Sequence, residues 1–248
     1  MTKAADPAAA AVVTGASRGI GKAIARRLAE DGYRMVLVDV LDDVREVAAE
    51  LVDATAYVTD VRDDHALRQV MAAASPLEVL VNCAGSCHRT SFAEMTPENW
   101  RKDVDTNLTA TFFACQAAVF PHMRDQRYGR IVNIASVSGK IGGIGPVQRD
   151  AAGGRSGPAY AASKAGVINL TRWIAREIGQ WGITCNAVAP GPIATEMTEG
   201  HSYGLDDMPI PRMGTPTEVA DAVAYLAARE RGYTTGACLH VDGGLVRA

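Results

Sequence analysis

Residues 160–164 read YAASK, which sets a phenol and an amine four positions apart. On a helix, positions i and i+4 share one face, so Tyr160 and Lys164 present their side chains together. A phenol that titrates near ~10 is a poor proton carrier at neutral pH. A cation beside it favours the phenolate and lowers that value, which suits the pair to acid–base work on an alcohol or a carbonyl. Far upstream, TGASRGIG at 14–21 carries Gly15, Gly19 and Gly21. Glycines so spaced allow a tight turn and let the backbone approach a pyrophosphate at the positive end of the next helix. An acidic residue follows at the end of the next apolar run, Asp39 in VLVDV. A carboxylate there accepts hydrogen bonds from ribose hydroxyls and repels a 2′-phosphate, whereas the nearby Arg18 would welcome one. Asp39 makes NAD the preferred cofactor and Arg18 leaves NADP as the alternative.

The elements that must hold these groups alternate along the chain. Short apolar runs at 9–13, 34–39, 54–59, 78–82, 130–135, 183–189 and 237–242 read as strands. Longer amphipathic segments lie between them, with Ile20, Ile24 and Leu28 at four-residue spacing. Thr96–Pro97 and Thr215–Pro216 read as helix starts, a capping residue followed by proline in the first turn. Strand and crossover helix in alternation predict an α/β fold, a doubly wound sheet of seven parallel strands with helices on both faces. Residues 1–248 show no repeat and no compositional break, so one domain is expected, with residues 1–8 a flexible tail. Apolar residues make up 48% and charged residues 21% of the 248, ordinary for a globular protein. A net charge of −3 gives no general attraction to nucleic acid or an anionic membrane. No apolar run reaches the ~20 residues of a membrane span. The five cysteines form no CxxC pair, and the five histidines show no metal-ligand spacing. The absence of a signal peptide and of paired cysteines points to the cytoplasm. No metal is expected.

In order, TGASRGIG, NCAG (82–85), YAASK, PGPIATEM (190–197) and TTGACLHVDGG resemble the motifs of the short-chain dehydrogenases/reductases in their single-domain form. The resemblance runs from about residue 10 to the C-terminus. It implies a Rossmann-like domain, hydride exchange between a nicotinamide dinucleotide and a secondary alcohol or ketone, and a homotetramer. It further implies roles at matching positions. Ser136 would polarise the substrate carbonyl, with Ser138 as its rival, and Tyr160 would exchange the proton. Lys164 would bind the nicotinamide ribose and tune Tyr160, and Asn107 would hold a water linking Lys164 to solvent. For the cofactor it implies Gly15, Ser17, Arg18, Gly19, Ile20 and Gly21 around the phosphates, with Asp39 at the ribose. Asp60 and Val61 would meet the adenine, Asn82, Ala84 and Gly85 would line its path, and Pro190, Gly191, Ile193 and Thr195 would hold the nicotinamide.

Two readings compete with the NAD-linked one: an NADPH-dependent reductase of 3-oxoacyl thioesters, and a dinucleotide-binding protein without chemistry. The complete Ser–Tyr–Lys–Asn set speaks against the last. The chain departs from the family between Ser136 and Tyr160, which lie 24 positions apart, about twice the usual separation. The excess falls in a glycine-rich loop, 141–157, anchored at both ends beside the site. Surface loops tolerate such length at little entropic cost. Either the loop has no role, or Arg149 or Arg155 meets an anionic substrate group, or it packs on a neighbouring subunit. Residues 196–215 are polar and proline-broken, as a substrate lid would be. His88 is read as solvated rather than as a substrate contact. Small residues at Ala161, Ala162, Ala165 and Gly166 permit close helix packing, inside the subunit or between subunits.

Overall fold

The computed structural model describes residues 9–145 and 155–246. The expected tail at 1–8 and Arg149 lie outside them. In chain order the elements are β1 (Ala10–Thr14), α1 (Gly19–Glu30), β2 (Arg34–Asp39), α2 (Val44–Ala49), β3 (Ala54–Val58) and α3 (Asp64–Ala73). They continue with β4 (Leu77–Asn82), α4 (Pro97–Val104), α5 (Ala110–Ala118), α6 (Arg124–Gln126), β5 (Gly129–Ile134) and α7 (Ser138–Ile141). The last are α8 (Pro158–Ile178), β6 (Ile183–Pro190), α9 (Pro216–Ala227) and β7 (Cys238–Val241). Each strand read from the sequence is present, its ends moved by at most one residue.

The seven strands form one parallel sheet in the order β3-β2-β1-β4-β5-β6-β7. Adjacent side chains on a strand point to opposite faces. Here both faces are covered, so β1 is buried at every position. On one face Ala10, Val12, Leu80 and Ile131 pack against Leu67 and Met71 of α3, Ala114 and Ala118 of α5, and Ile174 and Ile178 of α8. On the other, Ala11, Val13, Leu37 and Val132 meet Ile24 and Leu28 of α1, Val47 of α2 and Val223 of α9. Ile24 and Leu28 are buried as their spacing predicts, and Ile20 packs at the edge of that cluster.

Both expected helix starts are capped. The Thr96 hydroxyl accepts from the Asn99 N–H at 3.1 Å. Thr215 accepts from the Glu218 N–H at 3.3 Å while the Glu218 carboxylate accepts from the Thr215 N–H at 2.8 Å, a reciprocal capping box. The chain moves outward from β1 to β3, then returns to pair β4 with β1. At such a reversal the loops leave the carboxyl ends of the strands in opposite directions and open a crevice. Everything chemical in the chain gathers there.

Candidate active site

A cleft of about 380 Å³ runs along the carboxyl ends of the strands. Gly15, Arg18, Gly19, Ile20, Gly21, Asp39, Asp60 and Val61 line one end; Ser136, Tyr160, Lys164, Pro190, Gly191, Ile193 and Thr195 line the other, with Ala84 and Gly85 between. Three of the expected positions stand behind this surface rather than on it: Ser17, Asn82 and Asn107.

The turn after β1 is built for close approach. Gly15 sits at φ +68°, and a Cβ there would lie 2.8 Å from the Ala84 backbone. At Gly21 a Cβ would lie 1.9 Å from the Gly15 carbonyl oxygen. The start of α1 therefore presses directly on the turn, its free N–H groups facing the cleft, and a pyrophosphate fits this cradle. Gly21→Ala forces the two apart, and such overpacking costs about 1–3 kcal/mol. The expected result is a dinucleotide dissociation constant raised about tenfold or more, read by calorimetry; unchanged affinity would show that the cradle is not the phosphate site.

Asp39 ends β2 with its carboxylate held in place. The Ser17 N–H donates to one oxygen at 3.0 Å and the Leu41 N–H to the other at 3.1 Å. Ser17 thus serves by orienting Asp39. Arg18 is exposed, extended at φ −154°, and its side chain has no hydrogen-bond partner among the described residues. Asp60 faces a fork from Arg62, whose Nε lies 3.0 Å from either carboxylate oxygen. That guanidinium holds the Asp60 carboxyl below its ordinary range.

The NCAG loop hangs from Thr14, whose Oγ1 accepts from the N–H groups of Cys83 (3.0 Å) and Ala84 (3.1 Å). Asn82 turns into the core, donating to Asn133 Oδ1 at 2.8 Å and Cys115 Sγ at 3.3 Å. Its amide nitrogen is thus occupied inside the core, while Ala84 and Gly85 of the loop that follows line the cleft.

Tyr160 and Lys164 occupy the first turns of α8, on one face as their spacing requires. The Lys164 amine lies 5.7 Å from the Tyr160 ring centre and donates to the Ile134 carbonyl at 2.7 Å. Ser136 stands opposite, at the end of β5. Its Oγ accepts from the Ser138 N–H at 3.0 Å, which leaves its hydrogen free, and Ser136 favours the Tyr160 phenolate. Ser138 is no rival. Its own hydroxyl is buried against Ser156 Oγ at 3.0 Å, where it fastens the base of the long loop.

The tuning differs from the expectation. Burial raises the Tyr160 phenol well above its ordinary value, and hydrogen bonding from Ser136 and the Arg89 cation only partly offset this. Burial instead lowers Lys164 itself, from 10.5 to about 8. Desolvation outweighs the pairwise attraction because both charged forms are disfavoured in the same closed pocket.

Asn107 lies in a π-helical turn, Asp105–Thr109, between α4 and α5, and is wholly buried. Such widened turns occur mostly at functional sites. Its Oδ1 accepts from the Ser86 N–H at 2.9 Å, and its Nδ2 donates to the Ser86 carbonyl at 2.9 Å and Ser163 Oγ at 3.1 Å. The side chain clamps the loop after β4 to α8; its donors are not turned toward Lys164.

The long loop is pinched at its base. Ser156 N–H donates to the Ile144 carbonyl at 2.9 Å, and the Ile144 N–H donates to Ser156 Oγ at 3.0 Å. Arg155 donates to the Gly142 carbonyl at 2.6 Å, so it braces this base rather than the cleft. Across the cleft, Tyr203 and Met208 from the 196–215 segment are buried, and Glu196, Met197 and Thr198 border the opening. On α8, Gly166 packs on Leu108 within the subunit, while Ala162 and Ala165 face outward.

A family model described as enoyl-(acyl carrier protein) reductase matches residues 15–246. The chain is a short-chain dehydrogenase/reductase. As a member of that family it is an NAD(P)-linked oxidoreductase acting on CH–OH and ketone groups, which removes the reading of a binding protein without chemistry. It is 39% identical to the 3-oxoacyl-(acyl-carrier-protein) reductase FabG of Staphylococcus aureus, over 95% of this chain and 97% of the relative. It is 38% identical to the (3R)-3-hydroxyacyl-CoA dehydrogenase of Mus musculus, over 96% of each. The human dehydrogenase of that name is 37% identical over 96% of this chain and 95% of its own.

Several groups of this reductase fold carry no motif. Asp103, fully buried, accepts from Ser86 Oγ at 2.8 Å and the His88 N–H at 2.9 Å, and lies 2.7 Å from His88 Nδ1. His88 is therefore a bound partner of Asp103, neither freely solvated nor a wall of the cleft. Asp103 precedes Asn107 by one turn of helix, a spacing the sequence contains; what it does not contain is the loop that folds onto both.

Proposed function

We propose that this protein is an NAD(H)-linked oxidoreductase of 3-hydroxyacyl or 3-oxoacyl thioesters, acting as one domain through Ser136, Tyr160 and Lys164. The observation that carries the cofactor choice is Asp39, a carboxylate fixed at the cleft by two backbone N–H groups. So held, it cannot swing away from a 2′-phosphate, and a fixed anion against a dianion outweighs the exposed Arg18. The substrate class follows the relatives, a 3-oxoacyl reductase and a 3-hydroxyacyl dehydrogenase.

When bound, the nicotinamide supplies or takes up the hydride. The turn at Gly15–Gly21 would hold its phosphates, Asp39 its adenosine ribose, and Lys164 its other ribose. The chain's own part is the proton. In the reducing direction the Tyr160 hydroxyl gives its proton to the substrate oxygen as negative charge develops there; in oxidation Tyr160 takes it back. With a lone pair occupied by the Ser138 N–H, the Ser136 hydroxyl would turn its one hydrogen to the same substrate oxygen and stabilise the charge that develops there. Asn107 acts by positioning, holding the Ser86 loop against α8.

The test is nicotinamide absorbance with NAD and NADP in parallel on thioesters, hydroxy acids, polyols and plain secondary alcohols. NAD-linked thioester turnover supports the reading. Turnover with NADP alone supports the second, biosynthetic one, which the unpartnered Arg18 favours. Asp39→Asn keeps an acceptor but removes the charge, and is expected to raise the NADP/NAD ratio of kcat/KM about 10–100-fold. An unmoved ratio would take the choice away from Asp39. The outward Ala162, Ala165 and Trp173 of α8 support a homotetramer. No helix among the described residues is long and apolar enough to cross a membrane, which suits a cytoplasmic location.

A further inference from the structure

We infer that Arg89 is a specificity-determining residue that binds a carboxyl-derived oxygen of the substrate, on the carbon two bonds from the one that reacts. The inference rests on the reading of the site just given and names what that site selects.

Arg89 follows the NCAG loop on a rigid base. The preceding residue, His88, is tied to buried Asp103 by its backbone N–H at 2.9 Å and its ring at 2.7 Å. The loop is also pressed on the start of α8: a Cβ on Gly157 would lie 1.8 Å from the His88 carbonyl oxygen. The Gly157 anchor stands within one turn of Tyr160 on α8, which holds the root of Arg89 near the phenol.

The head of the side chain is only half engaged. Nη2 donates to the Tyr203 hydroxyl at 2.8 Å, and the guanidinium carbon lies 5.8 Å from that ring's centre. Nη1 is buried and has no partner among the described residues. No carboxylate among the described residues pairs with this guanidinium. Its charge is felt at Tyr160, Cys87 and Tyr203. A buried donor left open carries its full desolvation penalty, larger still for a charged group. Such groups are normally satisfied, and this one, on a loop packed against the start of α8, lies near enough to Tyr160 for its charge to favour the phenolate. The acceptor that suits it is an oxygen on the substrate, best a charged or strongly polarised one. A 3-hydroxyacyl compound brings such an oxygen, as a thioester carbonyl or as a free carboxylate.

The experiment compares 3-hydroxybutyryl-N-acetylcysteamine, free 3-hydroxybutyrate and 2-butanol with the NAD-loaded protein. Arg89→Met is expected to lower kcat/KM for the better of the two acyl compounds about 10–100-fold more than for 2-butanol. The better compound of the two identifies the source of the oxygen. Arg89→Lys keeps the charge without the planar fork and is expected to recover only part of the loss. Equal losses on all three substrates, or none, overturn the inference. A second readout needs no turnover. Calorimetry with acetoacetate and with its N-acetylcysteamine thioester should show the tighter ligand's dissociation constant raised about tenfold in Arg89→Met, with that of the dinucleotide unchanged. Should the wild type turn over neither acyl compound, the proposed function fails. Ligand binding lost in the variant would then still support Arg89, and binding retained would overturn it.

Discussion

Tyr160→Phe is expected to lower kcat by about 10³-fold, within the range that a positioned general acid contributes. Dinucleotide affinity and thermal stability should stay near wild type. The change removes one oxygen and leaves the ring that packs in the pocket. What is lost is the hydroxyl that Ser136 acts on and that is proposed to give or take the substrate proton. The measurement is kcat alongside a dinucleotide dissociation constant. A fall in both would mean that the ring was displaced. Full turnover in the variant would assign the proton to another group and remove Tyr160 from the mechanism.

Lys164→Met joins two opposite effects in one substitution. Activity should fall about 10²-fold or more, because the cation that faces the phenol and the ribose is gone. Stability should rise. Burial lowers the Lys164 amine from 10.5 to about 8, which corresponds to about 3 kcal/mol of unfavourable burial at neutral pH. Part of this is offset by its bond to Ile134, whose carbonyl loses a partner in the variant. A net gain of about 1–2 kcal/mol corresponds to a rise of about 2–8 °C in Tm.

The sign with pH follows from proton counting. Between about 8 and 10 the unfolded chain still binds the proton at Lys164 and the folded chain does not, so this group makes stability rise with pH. Below about 8 both states are protonated and the penalty is complete. The buried thiols of Cys83, Cys87 and Cys115, all raised by burial, act in the opposite sense above their unfolded values. The Lys164 contribution is therefore read as a difference: the Tm of the variant exceeds that of wild type at pH 7, and the gap closes toward pH 10. A variant less stable at pH 7 would show that the amine is not desolvated as described.

Much of this site is local in the chain, and local features are legible there. The central strands stand out because both faces of the sheet are buried there, which makes β1 and most of β2 and β4 apolar. The cradle stands out because a turn that admits no Cβ at Gly15 or Gly21 requires glycine whatever surrounds it. Tyr160 and Lys164 share a face by helical period alone, and Thr96 and Thr215 cap their helices through the adjacent turn.

Other features belong to neither end of a contact alone. Ser136 and Ser138 look interchangeable in NIASVSG, and only Ser156, brought back by the long loop, shows which of them is occupied. Asn82 sits in a motif that lines the cleft, yet its amide turns inward because Asn133 on the neighbouring strand waits there. The Lys164–Tyr160 pair reads as tuning along a helix, whereas desolvation, the largest influence on each group, is a property of the closed pocket. Arg89 carries no motif at all; Asp103, Gly157 and Tyr203, from three separate elements, set its direction. The sequence by itself determined the sheet, the cradle and the identity of the chemical groups, since these depend on periodicity and backbone geometry. Burial, hydrogen-bond partners and the open valence at Arg89 were decided only by tertiary structure, because each arises where segments distant in the chain exclude water together.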